Sequence, residues 1–430
     1  MKKLNAEMWD KVQYIFRNYY DGMIHCAIVY EGIVDQAVMR KAIRRVVDKI
    51  DVLHSSFIAG AIKPYWVVND NYTDEEMLYV HDGEVSHEAM ERILTNRVDY
   101  RGKLQFKATL LRNEERQRSV LCLVINHICL DGRDFIALVK TIVEAYRGIC
   151  ADPDFDPVVK CGSRSAKQIY RDLPEELRKK AKMLYRNVSR TNIKNAFPFG
   201  EQCDDDKPHI VRATLSADKM SALKARGKAD GYTVNDIYLA AYFTAAAKAC
   251  GFKPDTPCEI TSMLDMRRYL NDHETEGFTN LTSYMPCKLA GGVGNSFKET
   301  LEHVAEALAP HKSNPLLGMA GLPLMKFGLT FPFFIATRLV KLGYSNPLFT
   351  MSNMGVLRSA GFDLPEHKSL DAFFTGTIKY KPYIQIAATT FDGAATFTVC
   401  EKCTLEEKQA VRGFLDHFVA VLGDYADGKI

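Results

Sequence analysis

A buried-strand pattern, Val120-Leu121-Cys122-Leu123-Val124-Ile125, runs directly into Asn126-His127-Ile128-Cys129-Leu130-Asp131-Gly132. After it, Phe135, Leu138, Val139, Ile142, Val143 and Tyr146 recur at helical spacing. Apolar strand, short turn and amphipathic helix in that order predict an α/β arrangement with His127 at the end of a core strand. Gly132 is expected to let the chain turn tightly where a side chain would not fit. Asp131 is expected to order the loop by accepting hydrogen bonds or an arginine, which leaves the imidazole aimed at any cleft beyond the strand. Neutral imidazole suits proton removal from an alcohol or amine near pH 7, so a proton-abstracting site is the leading expectation. The heptad alone leaves a purely structural histidine open as the alternative.

A chain of 430 residues exceeds the usual single core, and two domains are expected. A formal charge of +3 at this length gives no support for nucleic-acid binding. A phosphate-bearing co-substrate would need only a local basic patch. The first ten residues, MKKLNAEMWD, lack an apolar leader core, so secretion is not expected. Eleven scattered cysteines suit reduced thiols in a cytoplasmic protein. Cys400-Glu401-Lys402-Cys403 has no second ligand pair nearby, and no metal is expected. Residues 315–340 are apolar but interrupted by Pro323, Lys326 and Pro332. Neither half reaches the ~20 apolar residues of a membrane span. Two short buried helices, or a helix lining an apolar channel, are expected there, with shallow membrane contact as the weaker alternative.

Strands are expected over 23–30, 53–58, 65–68, 104–112 and 119–125, and helices over 34–50 and 175–185. The basic side chains of the second helix read as a solvated face. Residues 187–208 lack periodicity and carry Asp204-Asp205-Asp206, so a linker there divides an N-terminal lobe, 1–186, from a C-terminal lobe, 209–430. The second lobe should begin with a strand over 210–215 and a helix from Ser216. Thr233-Val234-Asn235-Asp236 is a capping-box start for a helix ending at Gly251. Further strands are expected over 258–263, 282–289, 348–352 and 382–390, with a hairpin turn at Asp392-Gly393. Helices are expected over 296–308 and 404–422.

Five segments together resemble the superfamily of CoA-dependent acyltransferases and peptide-synthetase condensation domains. Asn126 to Gly132 is similar to the His-His-x-x-x-Asp-Gly motif, with Asn126 in place of the first histidine. Gly231-Tyr232-Thr233-Val234-Asn235-Asp236 is similar to a Gly-x-Thr-x-Asn-Asp helix start. Asp265-Met266-Arg267, Ser352-Asn353-Met354-Gly355 and Phe391-Asp392-Gly393 resemble later elements in the same order. The resemblance implies an α/β fold of two chloramphenicol-acetyltransferase-like lobes, each a mixed sheet with helices, and an active-site tunnel between them.

It further implies acyl transfer from a thioester, either acyl-CoA or a phosphopantetheinyl acyl-carrier protein, to a small alcohol or amine acceptor. His127 would be the general base, and Asp131 and Gly132 the loop elements. Asn353 and Ser283, chosen for their loop and strand-end positions in the second half, are the candidate oxyanion donors, with ordinary strand capping the favoured role for Ser283. Arg267 and Asn126 would support the site, and no cofactor beyond the thioester co-substrate is implied. Where condensation domains carry an arginine able to pair with the motif aspartate, this chain has His54. Arg267, or backbone amides alone, is left to hold Asp131. Two rival readings stand beside this one. Cys129, two residues from His127, could be a nucleophile, and the whole chain could be a catalytically degenerate carrier-protein or ligand-binding module.

Overall fold

The computed structural model describes residues 2–184 and 196–430. Among these, the strands form sheets of five, seven and three strands, with helices packed against them. In the five-stranded sheet, Met23–Glu31 and Phe106–Asn113 flank Arg118–Asn126, both antiparallel to it. The Arg118–Asn126 strand is buried at all but its first residue, which is why it reads as a continuous apolar run. Its helix, Gly132–Ala151, starts at the N-cap Asp131 and buries Phe135, Leu138, Val139, Ile142 and Val143 against the sheet.

The sheet is completed from the second half of the chain. Ser369–Thr375 pairs antiparallel with Met23–Glu31, and Phe374 meets Phe135 edge to face, with ring centroids 5.2 Å apart. The seven-stranded sheet is built from second-half strands only, with Phe349–Leu357 and Ile384–Phe391 parallel at its centre. Local signals set its helices and turns. Thr233 caps Val234–Cys250 through a reciprocal box with Asp236, and Gly251 closes it in the left-handed region at φ 66°. Asp392 and Gly393, at φ 43° and 93°, form the tight turn between Ile384–Phe391 and Ala394–Cys403.

Residues 187–195 of the expected linker lie outside the described residues. Beyond them, Phe197 packs on Phe414, and Asp206 pairs with buried Lys381 at 2.7 Å. The 315–340 segment forms two short helices, Leu322–Gly328 and Phe333–Gly343. Of the two expected arrangements the second holds: Leu324, Phe327, Phe331, Phe334, Leu339 and Leu342 are each at least 40% exposed, and residues of both helices line a large cavity. No helix among the described residues is long and apolar enough to cross a membrane. The N-terminal helix Met8–Phe16 and the strands Leu78–Asp82 and Ser369–Thr375 have no counterpart among the expected elements. Met8–Phe16 buries Asp10 and Gln13 beside Trp9, Val12 and Ile15, so it shows no clean apolar stripe.

Candidate active site

The Arg118–Asn126 strand ends where its backbone must turn away from the sheet, and the turn is held from both halves of the chain. Asn126 is buried; its Nδ2 donates to Gln105 Oε1 at 2.9 Å and its Oδ1 accepts from the Ile128 amide at 3.1 Å. The His127 amide donates to the Gly22 carbonyl at 2.8 Å. From the second half, Asn280 Nδ2 donates to the carbonyls of His127 and Ile128 at 2.8 and 3.1 Å. Asn126 therefore fixes the loop, facing Gln105 and not the imidazole's partner groups.

Asp131 is the centre of a buried ionic cluster. Its Oδ1 accepts from the Asp134 amide at 3.0 Å, capping the Gly132–Ala151 helix, and its Oδ2 accepts from the Leu281 amide at 2.7 Å. Arg267, only 1% exposed, reaches Asp131 Oδ2 at 2.9 Å, Asp134 at 3.0 Å and Asp265 at 3.0 Å. Arg267 thus takes the role left open by His54, whose Nδ1 donates instead to the Asn69 carbonyl at 2.8 Å. Burial would raise the Asp131 carboxyl, but the Arg267 charge and the converging hydrogen bonds hold it below its ordinary value. Asp134, where burial outweighs Arg267 and Lys160, sits above the ordinary value. Asp131 is an anchor between the halves of the chain, with no free oxygen for proton traffic.

Gly132 is the first helical residue and has no left-handed backbone conformation, which corrects the expected tight turn. A Cβ there would lie 2.7 Å from Met354 Sδ, on the Phe349–Leu357 strand, so a side chain at this position fits only if the flexible Met354 shifts. Cys129 is fully buried in the core, with Sγ directed at the Val52 carbonyl at 3.7 Å, and burial pushes its thiol well up. This matches the packed thiol that the sequence favours over a nucleophile at this position. A thiol facing the core with a raised pKa is a packing group.

The His127 ring has one tautomer consistent with its contacts. Nδ1 lies 2.9 Å from the Leu130 carbonyl, which can only accept, so Nδ1 carries the proton and Nε2 is a bare acceptor. Nε2 lies 3.5 Å from Gln13 Nε2, and Gln13 Oε1 accepts from the Tyr20 hydroxyl at 2.8 Å. Burial pushes the imidazole pKa below 6.5, nearby Lys379 adds to this, and the Leu130 hydrogen bond and the Asp131 charge oppose it. Lys379 is itself buried, with its amine 4.3 Å from the Tyr20 ring centroid. Its own pKa is brought to about 8 by burial, against the pull of Glu401 and Asp21.

His127, Gln13 and Lys379 line a cavity of about 810 Å³ that extends between the two halves of the chain. Asp131, Gly132 and Arg267 form part of the same wall, as do Ser283 and Asn353. The two expected oxyanion donors are both engaged. Ser283 Oγ donates to the Gly318 carbonyl at 2.5 Å, and Asn353, exposed at the wall, donates to Asn235 Oδ1 at 2.8 Å. Gln13, Tyr20 and Lys379 were not legible as site residues. They come from an unrecognised helix, the bend after it, and a strand of two residues. Among the described residues no group of His, Cys, Asp and Glu is arranged to hold a metal. The 400–403 cysteines, three apart on one strand, face opposite sides of the sheet.

This fold, two α/β halves enclosing a cavity with His127 in its wall, is similar to that of solved condensation domains and of an O-acetyltransferase. The first condensation domain of the calcium-dependent antibiotic synthetase, solved with a substrate analogue, superposes with a TM-score of 0.72 at 14% identity. That match covers 99% of this chain and 96% of the other. Polyketide synthase associated protein 5 from Mycobacterium tuberculosis matches at a TM-score of 0.68 and 15% identity, over 99% of both chains. The TRI3 trichothecene 15-O-acetyltransferase from Fusarium sporotrichioides matches at 0.69 and 14%, over 97% of this chain and 94% of that one. At these identities the likeness is one of fold. No protein-family model and no curated protein sequence matches the chain.

Proposed function

We propose that this protein is an acyltransferase that moves an acyl group from a thioester, acyl-CoA or carrier-protein-bound, to a hydroxyl or amine acceptor. The observation that carries the reading is the His127 tautomer: Nδ1–H is tied to the Leu130 carbonyl, and a bare Nε2 stands in the wall of the cavity. Nε2 takes the acceptor proton as the acceptor oxygen or nitrogen attacks the thioester carbonyl. The tetrahedral adduct collapses, the carbon–sulfur bond breaks, and the imidazolium returns the proton to the departing thiolate. Asp131 and Arg267 hold the loop that aims the ring. The Gln13 amide, fixed by Tyr20 beside Nε2, orients the acceptor. The shared fold with an O-acetyltransferase and with condensation domains supports the same chemistry.

A competing reading, a catalytically degenerate module that only binds a carrier protein or ligand, draws on one observation. Ser283 and Asn353 are both engaged elsewhere, which leaves the developing oxyanion without an assigned donor. Incubation with acetyl-CoA and a panel of short-chain alcohols and amines, following free thiol, separates the two. The acyltransferase reading expects acceptor-dependent thiol release that falls by roughly 10²–10⁴ in His127→Ala. Absence of any His127-dependent turnover across donors, with thioester binding retained, favours the binding module instead.

A further inference from the structure

Of the large apolar side chains that stand exposed on this protein, six lie within nineteen residues of one another, on Leu322–Gly328, Phe333–Gly343 and the turn between them. Leu324, Phe327 and Phe331 share one side at intervals of three and four, and the Phe327 and Phe331 rings meet at 5.5 Å. The amides of Phe333 and Phe334 donate to the carbonyls of Ile62 and Ala61 at 3.0 Å, which brings Ile62, 69% exposed, and the exposed Lys63 alongside.

The charge carried by this segment has one sign. From residue 307 to residue 362 the sequence contains no Asp or Glu. Lys326, Arg338 and Lys341 stand exposed among the apolar side chains and, like Lys63, form no ion pair among the described residues. Protein-binding patches are depleted in lysine at their cores and carry mixed polar rims. Exposed phenylalanine and leucine, interspersed with unpaired cations and with no acid in the same segment, match the interface of an anionic bilayer. The same segment borders the cavity that holds His127: Met325, Leu329 and Val340 line it, and so do Leu324, Phe327 and Leu339 of the exposed face, whereas Phe334 and Leu342 do not.

We propose that the face formed by residues 322–343, with the 61–63 loop, docks on an anionic lipid surface and passes an apolar substrate from it into the cavity. The docking stands independently of the proposed chemistry; the substrate-delivery clause rests on the acyltransferase reading. A shallow seat suits helices of this length, with the phenylalanines among the acyl chains and the cations at headgroup level. An apolar acyl chain or acceptor would then move from lipid to cavity without crossing water.

The test is sedimentation of the full chain with vesicles of phosphatidylcholine alone and of equimolar phosphatidylcholine and phosphatidylserine, at low and high salt. Binding is expected to favour the phosphatidylserine vesicles and to weaken with salt. Arg338→Glu with Lys341→Glu, neither residue lining the cavity, is expected to lower partitioning by at least about 25-fold, from about fivefold per cation near such a surface. Phe334→Ser with Leu342→Ser is expected to weaken binding to both vesicles, with circular dichroism and melting unchanged. Equal binding to the two vesicles, or charge-reversed protein that binds as wild type, overturns the proposal. So does a dimer in vesicle-free solution that the Phe334→Ser, Leu342→Ser variant converts to monomer, which assigns the face to a second copy. Vesicle binding as expected with no thioester turnover keeps the docking and rejects the chemistry. Turnover without vesicle binding does the reverse.

Discussion

Replacing Arg267 by methionine tests how the motif loop is held. The side chain is 1% exposed and is the cation that Asp131 and Asp134 share, at 2.9 and 3.0 Å. Methionine keeps much of the volume and removes the charge, leaving Asp131 with amide donors only and Asp134 with Lys160 at 2.6 Å. Breaking a buried pair by removal of one partner costs about 3–5 kcal/mol. Asp131→Asn keeps an oxygen able to cap the Gly132–Ala151 helix and loses charge-assisted hydrogen bonds, with an expected cost of about 1.5–3 kcal/mol. Because both substitutions remove the same interaction, the double variant should cost less than the sum of the two by roughly 1–3 kcal/mol in urea unfolding at neutral pH.

The pH dependence gives an independent sign. In the wild type the folded Asp131 carboxyl lies below its ordinary value, so its stabilisation is present above the unfolded pKa near ~4 and is lost as pH falls through the folded value. Without Arg267, burial dominates and both carboxyls move up. Their protonation then favours the folded state below the unfolded pKa, and that advantage disappears as pH rises through the raised folded values. The stability gap between wild type and Arg267→Met should therefore narrow from pH 7 toward the carboxylate range. Additive single and double variants, or a gap that does not change with pH, would falsify the anchoring argument.

Under the proposed function, the acidic limb of kcat/KM should have unit slope and be centred below 6.5, because burial lowers the His127 pKa; a limb centred above 6.5 contradicts this. Cys129→Ser should retain full turnover, since the thiol faces the Val52 carbonyl in the core and not the cavity. A loss of two orders of magnitude, with the fold intact by circular dichroism, would restore a covalent route.

What the sequence by itself determined was local. The apolar run to Ile125, the stripe from Phe135 to Tyr146, the box at Thr233 and Asp236 and the Asp392-Gly393 turn depend on periodicity, capping and backbone preference within a few residues. Those forces act over one or two turns, so their residues are legible in order along the chain. His127 and Asp131 were legible for the same reason: one short loop carries both. The tertiary structure decided what surrounds them. Arg267 and the Leu281 amide reach Asp131 across more than a hundred residues of chain, and Asn280 grips the loop from the same segment. Gln13 enters on a helix whose buried polar residues erase its apolar stripe, and Ser369–Thr375 crosses back to complete the first sheet. Ser283 and Asn353 kept their place at the cavity, but their hydrogen bonds to Gly318 and Asn235 depend on neighbours that one-dimensional spacing does not encode. A buried charge must find its partner wherever the fold brings one, and that choice is made in three dimensions.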